Sequence, residues 1–348
     1  MKKIVCIVLG ACILAGCAQK KVAHKADFVI AGGQMPNLAR EEDNQLHIVY
    51  GLGDSIMYTS SADYGNSFSA PTLIAILPGA FTFAMRGPQI AATGMGLIVT
   101  APTREGNIFS FLKDNNGKWK TGGKINDEDS VAKEGLMGFS ADNTLGYAAW
   151  LDLRGSKRDK IYGARTTDGG KTWLKNVLVY ASPDSSVCEC CKPSVLVKGN
   201  VVYVMFRNWL NGNRDLYLAK STDSGNTFAQ PQKLGTESWA LNGCPMDGGA
   251  MALSNDTPET VWIRKGKIFA ATAGKSEKEI GEGRNCTIEV INGKNVYSWT
   301  ENGEIIVMDA FGKKQSLGKG SQPVLKALNE KDIICLWENE RQVHASIF

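Results

Sequence analysis

The sequence predicts an all-β fold in which one supersecondary unit is repeated around a ring. An aspartate-containing pattern recurs at steps of 51, 54 and 55 residues, which is the signature of a repeat architecture. Turn residues separate short apolar runs at intervals of roughly 8 to 12 positions, and few segments keep a sustained helical period. A ring of four-stranded antiparallel blades, a β-propeller, accounts for these observations, because radial closure leaves only short, protected edges.

The repeated pattern is S/T-x-D-x-G-x-S/T followed by an aromatic residue. Good copies contain Asp63, Asp168 and Asp223, and a worn copy contains Asp114. The aspartate carboxylate can accept backbone N–H bonds inside a turn. In the good copies, the glycine two positions on supplies the positive φ that tight hairpins need. We therefore expect four structural turns, each between two strands.

This pattern resembles the Asp box of sialidase-like β-propellers, the BNR-repeat families. The resemblance implies that the boxes are structural turns on the far side of the ring from the active site. It therefore bears on the fold and not on an activity. Sialidases have six blades, so six is the alternative to the number of blades counted below.

Each unit opens with a short strand, often marked by a proline, where a sheet tolerates that residue. A strongly apolar second strand follows in every unit. These second strands are predicted at 46–50, 97–100, 146–150, 201–206, 260–263, 296–299 and 333–337. Seven blades are therefore expected, and the last three carry no Asp box. The chain ends after three strands of the last blade, so we expect the segment 27–30 to supply its fourth strand and close the ring.

The first residues predict export. Lys2 and Lys3 precede an apolar run, 4–14, that ends in small residues and is typical of a secretory leader rather than a membrane span. The overall net charge is +4, and removing the two lysines leaves 37 basic against 35 acidic residues. This balance gives no support for nucleic-acid binding, and we expect a monomer with no nucleic-acid partner.

The end of the leader, Leu14-Ala15-Gly16-Cys17, resembles a bacterial lipobox. The resemblance implies a signal peptide over 1–16 and lipidation of Cys17, with a plain cleaved leader as the alternative. Residues 17–26 are then a tether and 27–348 the propeller, which contacts the membrane through the lipid anchor only. Ala18 after the cysteine favours the outer membrane of a diderm bacterium.

Propeller geometry predicts which residues meet. The start of the first strand of each blade, the loop between its second and third strands, and the loop to the next blade lie at one end of the ring. Charged groups and thiols crowd this rim in the sequence, which predicts a convergent binding pocket. The residues predicted to bind a ligand there are Arg86, Arg207, Arg214, Asp215, Trp239 and Asp247.

Cysteines are the second candidate feature of the rim. Six follow Cys17, and in an exported protein they favour disulfides, with fifteen pairings possible. Cys244 is the natural partner for one member of the cluster Cys188, Cys190 and Cys191. Alternatively, these thiolates can hold copper or zinc, or adjacent Cys190 and Cys191 can form a redox-active pair. Cys335 lies in an apolar strand and is predicted to be core.

Residues 188–249 resemble a cysteine-bearing branch of bacterial BNR-repeat proteins, a resemblance that implies no particular activity. In sialidases, three arginines bind the substrate carboxylate, a Tyr–Glu pair is the nucleophile and an Asp is the acid/base. The arginine candidates here are Arg86, Arg207 and Arg214, but Gln34 stands where the first arginine is expected. The other candidates are Asp152 or Asp159 as the acid and Tyr297 as the nucleophile.

We therefore expect a cell-envelope lipoprotein whose channel mouth binds an anionic, glycan-like ligand or a soft metal ion. The rival class is an enzyme, an exo-α-sialidase or a related glycoside hydrolase, with Asp152 or Asp247 supplying the carboxylate. A protein–protein scaffold is a third alternative, because a fold does not imply a function.

Overall fold

The structure is a computed structural model that describes residues 22–41, 44–114, 116–184 and 186–348. Over these ranges the chain forms seven four-stranded antiparallel sheets, and the predicted seven-bladed propeller is confirmed. No helix in the described part of the chain has the length and apolarity needed to cross a membrane. The predicted signal peptide and Cys17 lie outside the described residues.

The first strand of the chain, β1 (Lys25–Gly32), belongs to the last blade, and blades I to VI follow in chain order. Blade I contains β2 (Gln34–Arg40), β3 (Leu46–Leu52), β4 (Ser55–Ser61) and β5 (Thr72–Ile76). Blade II contains β6 (Gln89–Thr93), β7 (Gly96–Pro102), β8 (Ile108–Lys113) and β9 (Trp119–Lys124). Blade III contains β10 (Met137–Asp142), β11 (Leu145–Asp152), β12 (Lys160–Thr166) and β13 (Val177–Tyr180).

The remaining blades follow the same order. Blade IV contains β14 (Ser194–Lys198), β15 (Val201–Leu210), β16 (Asn213–Ser221) and β17 (Gln232–Lys233). Blade V contains β18 (Gly249–Ser254), β19 (Thr257–Arg264), β20 (Lys267–Thr272) and β21 (Lys278–Glu282). Blade VI contains β22 (Arg284–Ile291), β23 (Lys294–Glu301), β24 (Glu304–Met308) and β25 (Lys314–Lys319). Blade VII contains β26 (Ser321–Ala327), β27 (Ile333–Asn339) and β28 (Gln342–Ile347), completed by β1.

The ring closes through β1, as predicted. This strand pairs antiparallel with β28, with Phe28 opposite Ala345 and Val29 opposite His344. The Asp27 carboxylate lies 2.6 Å from Nδ1 of His344 across the same pair of strands. Because the two ends of the described chain share one sheet, no blade is left with three strands.

The hydrophobic core is divided into seven clusters, one between each pair of neighbouring blades. The apolar second strands supply their largest side chains, including the fully buried Trp150, Trp299 and Trp337. Burying such rings contributes on the order of 25 cal/mol per Å² of apolar surface. The innermost strands β2, β6, β10, β14, β18, β22 and β26 contact one another around the central channel.

The Asp-box turns form as predicted. The Asp223 carboxylate accepts hydrogen bonds from the Thr227 amide (3.0 Å), the Thr227 hydroxyl (2.7 Å) and the Ser221 hydroxyl (2.7 Å). Gly225 has a φ of 79°, which a residue with a Cβ adopts only with strain. Asp63 and Asp168 make equivalent bonds. These turns join the third and fourth strands of blades I, III and IV, at the end of the ring opposite the predicted rim.

The worn copy also folds as a turn, and one further turn was missed. Asp114 accepts the amides of Asn116 and Lys118, at 3.0 and 2.9 Å. In blade VI, Asp309 accepts those of Phe311 and Lys313, both at 2.9 Å. This turn lacks the flanking hydroxyl and aromatic residues of the box, so the sequence pattern did not detect it.

Connections between blades differ in length around the ring. Long connections lead into blades II, III, IV and V, over 77–88, 125–136, 181–193 and 234–248. A single glycine leads into each of blades VI, VII and I: Gly283, Gly320 and Gly33. The rim is therefore high on one side of the channel and low on the other.

Candidate functional site

The central channel opens at the predicted rim into a cavity of about 180 Å³. The starts of innermost strands from blades I, II, IV, V, VI and VII line it, so the cavity collects two to four residues from each of these six blades. Its polar lining side chains are Asn37, Gln89, Lys192, Ser194, Asp247, Asn285, Thr287 and Gln322. Converging polar groups in a concave site are the usual signature of a ligand pocket.

Three of the lining blades begin with the same irregularity. The pairing register shifts at Gln34–Asn37, Arg284–Thr287 and Ser321–Val324, each a β-bulge at the start of the innermost strand. A residue with positive φ lies inside every bulge: Met35, Asn285 and Gln322. Such bulges redirect side chains and are common beside functional sites. Here they place these three residues in the wall of the cavity.

Lys192 provides the positive charge of the cavity. Its ammonium lies 3.3 Å from the Gln89 side-chain oxygen, which also lies 3.5 Å from the Asn37 amide nitrogen. Burial lowers the pKa of Lys192 to about 8, because the low-dielectric surroundings disfavour the charged form. The ammonium remains mostly charged at neutral pH, and an anion entering the cavity would compensate it.

Asp247 also lines the cavity and is 1% exposed. Burial raises the pKa of Asp247 to about 6, although its carboxylate accepts a hydrogen bond from the backbone N–H of Asn285 at 2.7 Å. The side-chain nitrogen of Asn285 is buried without a hydrogen-bond partner. An unsatisfied buried donor is costly, so a ligand oxygen placed there would gain a full hydrogen bond.

A shallow groove lies beside the channel on blades V and VI. Trp239, Pro245, Ile263 and Arg284 line it together with the bare backbone of Gly266, Gly283 and Gly303, over about 540 Å³. The second and third strands of both blades are joined by tight turns, which keep this part of the rim low. The groove therefore offers an aromatic side chain and a guanidinium next to the cavity.

The predicted rim arginines have partners within the fold, as does Arg154. Arg86 donates to the Glu134 carbonyl (2.5 Å) and lies 3.5 Å from the Glu134 carboxylate, so it ties two long connections together. Arg154 lies against Asp152, with its Nε 2.9 Å from one carboxylate oxygen. Asp152 is 0% exposed and also accepts the Trp150 indole N–H at 2.8 Å. These contacts make Asp152 part of a buried ion pair and place it away from the cavity lining.

Arg207 and Arg214 are buried under the rim of blade IV. Arg207 is 2% exposed and donates to the carbonyls of Arg214 (2.8 Å) and Ile263 (3.0 Å). Its guanidinium lies 5.4 Å from the centre of the Trp239 ring. The backbone N–H of Trp239 donates a hydrogen bond to the Asp215 carboxylate at 2.8 Å. The predicted residues Arg207, Arg214, Asp215 and Trp239 are therefore brought together, and the space between them is about 10 Å³. That space is too small for a substrate.

Arg214 points instead at the cysteines. Its Nη1 lies 3.0 Å from Sγ of Cys188. The hydrogen bond with Cys191, followed by the charges of Arg214 and Arg207, lowers the pKa of Cys188 to about 6 despite burial. Burial raises the pKa of Cys191. The two thiols, 3.3 Å apart, are therefore differentiated by their surroundings.

The predicted pairing of Cys244 with the 188–191 cluster is confirmed, because Cys190 and Cys244 form a disulfide. It connects the long loops before blades IV and V. Cys188, Cys191, Cys286 and Cys335 are free and buried, and Cys335 packs in the core between blades VI and VII as predicted. The Sγ atoms of Cys188, Cys190 and Cys191 lie within 4.8 Å of one another, which is compatible with metal coordination only after reduction of Cys190.

The two other sialidase candidates have contrasting environments. Tyr297 lies in β23 within the core between blades V and VI, and its hydroxyl accepts a hydrogen bond from Asn295 at the start of that strand. It therefore points away from the rim. Asp159 is 2% exposed, and burial, followed by the nearby charges of Glu134 and Glu189, raises its pKa to about 7.

Sequence reasoning missed Asn37, Gln89, Lys192 and Asn285 as site residues. A signal was present: Asn37, Gln89 and Lys192 each adjoin a proline that marks the start of an innermost strand. Those strand starts were expected to converge on the channel, but the binding residues were predicted among charged and aromatic side chains of the longer loops. Asn285 carries no such mark, because its position depends on a bulge.

Solved structures with the same fold include carbohydrate-active proteins. An alpha-L-arabinanase from Penicillium chrysogenum, complexed with arabinobiose, matches with a TM-score of 0.58 at 12% identity over 94% of this chain and 98% of that chain. An alpha-L-arabinofuranosidase from Fusarium graminearum matches with a TM-score of 0.57 at 12% identity over 93% and 98%. The NanB sialidase from Streptococcus pneumoniae reaches 0.46 at 15% identity over 94% and 69%.

At these identities the likeness shows the fold alone. No protein-family model matches the chain, and no curated protein matches its sequence.

Proposed function

We propose that the channel mouth of this propeller binds a small anionic, glycan-like ligand. The observation that supports this most directly is that one cavity contains both the Lys192 ammonium and the side-chain nitrogen of Asn285, which has no hydrogen-bond partner. A carboxylate or other anion would compensate the first, and a hydroxyl or carbonyl oxygen would satisfy the second. The cavity volume, about 180 Å³, suits one sugar-sized unit.

The groove beside the cavity extends this proposal. The half-buried Trp239 offers an aromatic surface, and Arg284 lies next to it. Aromatic surfaces combine a large apolar contact with low conformational entropy, which suits the apolar faces of sugar rings. A ligand with its charged end in the cavity would then continue over the low side of the rim. The bound arabinobiose in the Penicillium chrysogenum arabinanase supports a carbohydrate ligand by fold analogy only.

Binding is favoured over hydrolysis by the carboxylates that are present. Glycoside hydrolases of the usual type need two carboxyl groups flanking the scissile bond. Among the described residues that line the cavity, Asp247 is the single one with a carboxylate. Its pKa of about 6 suits a general acid, so a hydrolase that uses Asp247 as the acid is the second candidate function.

Titration calorimetry against a panel of neutral and acidic mono- and disaccharides tests the binding proposal. We expect affinity for an acidic sugar that falls at least tenfold in Lys192→Met and in Asn285→Ala. It should also fall as pH rises above about 8, because Lys192 then loses its charge. Lys198→Met is the matched control, since Lys198 is an exposed lysine at the end of β14, the strand that follows Lys192, and does not line the cavity. Binding that is unchanged in Lys192→Met would contradict the proposal.

The hydrolase candidate makes a different demand. Turnover of fluorogenic arabinosides or sialosides should be measured for the full chain and for Asp247→Asn. Turnover that disappears in Asp247→Asn while sugar binding persists would support hydrolysis. Absence of turnover in a preparation that binds sugar leaves the binding function.

Two further parts of the hypothesis concern location and metal. We propose that the propeller is anchored to the cell envelope through lipidated Cys17, and Cys17→Ala should release it from membranes. We also propose that the reduced cysteine cluster can hold copper or zinc, because three Sγ atoms lie within 4.8 Å of one another. Metal content and thiol count, measured together before and after reduction, test this second part.

A further inference from the structure

Four cysteines under the rim of blade IV form a layered arrangement. The Cys190–Cys244 disulfide is on the outside, where Cys244 is exposed. The free thiols of Cys188 and Cys191 lie beneath it and are 0% and 1% exposed. Sγ of Cys188 is 3.7 Å from Sγ of Cys190 and 3.3 Å from Sγ of Cys191. One sulfur atom therefore contacts both a disulfide and a second free thiol.

We propose that these four residues form a thiol–disulfide exchange centre, in which one disulfide moves between the exposed pair Cys190–Cys244 and the buried pair Cys188–Cys191. The buried pair has Cys-x-x-C spacing, Cys188-Glu189-Cys190-Cys191, which permits a disulfide within one turn of chain. The proposal concerns the long loops before blades IV and V, and it does not depend on ligand binding in the channel.

The exchange needs two steps. In the first, the Cys188 thiolate attacks Sγ of Cys190, a Cys188–Cys190 bond forms, and the Cys190–Cys244 bond breaks with its electron pair leaving on Cys244. In the second, the Cys191 thiol gives its proton to the Cys244 thiolate and attacks Sγ of Cys188. The Cys188–Cys190 bond then breaks, and Cys190 leaves as a thiolate. One S–S bond is broken and one is formed, so no external oxidant or reductant is required.

Arg214 is the positioning residue for the first step. Its Nη1 lies 3.0 Å from Sγ of Cys188, where a guanidinium stabilises a thiolate. The same positive charge disfavours a metal cation bound at Cys188, so the oxidised cluster suits exchange better than metal binding.

The product of the exchange faces outward. With the disulfide moved to Cys188–Cys191, Cys190 and the exposed Cys244 become a dithiol at the surface. That dithiol can reduce a disulfide of a partner peptide or protein. The partner disulfide would become two thiols while the Cys190–Cys244 bond re-forms.

Disulfide mapping of the full chain tests the proposal. The reduced protein is equilibrated in glutathione buffers of graded redox ratio, quenched with acid, alkylated and mapped by mass spectrometry. For the single-disulfide protein we expect two populations, Cys190–Cys244 and Cys188–Cys191. In Cys244→Ser we expect a disulfide within residues 188–191. The proposal would be overturned by two results together. One is that the single-disulfide protein contains only the Cys190–Cys244 pair at every glutathione redox ratio. The other is that the Cys244→Ser variant forms no disulfide.

Two variants separate exchange from a structural role. Measured below the Cys188 pKa of about 6, Arg214→Met should slow alkylation of Cys188 on the order of tenfold, because in that range each unit by which the pKa rises lowers the thiolate fraction about tenfold. Arg214→Lys should restore much of the rate. Cys335→Ala removes a buried thiol on the far side of the ring and should leave the disulfide populations unchanged. The wild-type populations decide the question even if a variant fails to fold.

Discussion

Blades I to IV and blades V to VII use the same four-stranded unit with different connections. The connections leaving blades I to IV run over twelve or more residues, and these blades carry the four predicted Asp boxes. Each connection leaving blades V to VII is one glycine. We call blades I to IV the high arc, because their long connections form loops beside the channel. We call blades V to VII the low arc, because a single glycine replaces such a loop at the end of each blade.

The two arcs also differ in what their charged side chains do. In the high arc, Arg86 ties to Glu134 and Arg154 to Asp152, while Arg207 donates to backbone carbonyls. Long loops contain many polar groups that need partners, and these arginines supply them. The arginines that stand out in the sequence are therefore used in packing the loops.

The low arc also contains a nearly buried pair, Arg264 with Glu277 at 2.7 Å, but its bulges and bare glycines leave free space at the strand starts. The cavity, by contrast with the packed loops, is lined by residues from both arcs, with Lys192 and Asp247 from the long connections and Asn285 and Gln322 from the bulged strands.

Arg154→Met should have the largest effect on stability. It leaves the Asp152 carboxylate, which is 0% exposed, without its cation, and breaking a buried pair in this way costs about 3–5 kcal/mol. Urea unfolding measures the loss. The double variant with Asp152→Asn should recover much of it, because the buried charge is then also removed. A loss below about 1 kcal/mol in Arg154→Met would show that this part of the high arc is not held by the ion pair.

Gly283→Ala tests the low arc. A Cβ at Gly283, where φ is 135°, would lie 2.3 Å from the Thr300 carbonyl oxygen and 2.8 Å from Cδ1 of Trp299. We expect a loss of about 3 kcal/mol in urea unfolding. Gly243→Ala, in the connection 234–248, meets nothing closer than 3.7 Å and should change stability by less than about 0.5 kcal/mol. Equal losses in the two variants would remove the distinction between the arcs.

Asp168→Ala should cost about 1–3 kcal/mol, because its carboxylate accepts three hydrogen bonds in the box turn of blade III. Burial raises the pKa of Asp168, but the bonds from Thr172 and Thr166 outweigh it and hold the pKa below its ordinary value. The contribution is thus present above the unfolded-state pKa, about 4, and is lost as pH falls through the folded-state pKa. Stability should therefore converge between wild type and variant in acid. Asp168→Asn, which keeps one acceptor oxygen, should lose less.

Lys267→Met should have the smallest effect. Its ammonium lies 2.7 Å from Glu279 on the outside of blade V, with both side chains nearly half exposed. Solvent and salt screen such a pair, so we expect no measurable change in unfolding free energy. A clear loss here would contradict the expectation that the exposed ion pairs of blade V contribute little to stability.

Much of the fold could be predicted because it follows from local patterns. The Asp boxes specify their own turns through side chains within five positions of Asp63, Asp168 and Asp223. Seven apolar strands gave the blade number, and the short final unit predicted closure by 27–30. The sequence predicted that Cys244 pairs with one of the three cysteines at 188–191, but not that the partner is Cys190. Three cysteines within four residues fit the same loop geometry.

The sequence by itself determined the repeat, the number of blades and the turns on the underside, because each depends on residues close together in the chain. Only the tertiary structure decided which polar groups were left for a ligand. Lys192 and Asn285 line one cavity from the starts of different blades, and their availability depends on burial and on what every neighbouring strand contributes. Arg207 and Arg214 are equally prominent in the sequence, but their guanidinium groups have partners inside the fold. Arg207 donates to backbone carbonyls, and Arg214 donates to the Cys188 sulfur.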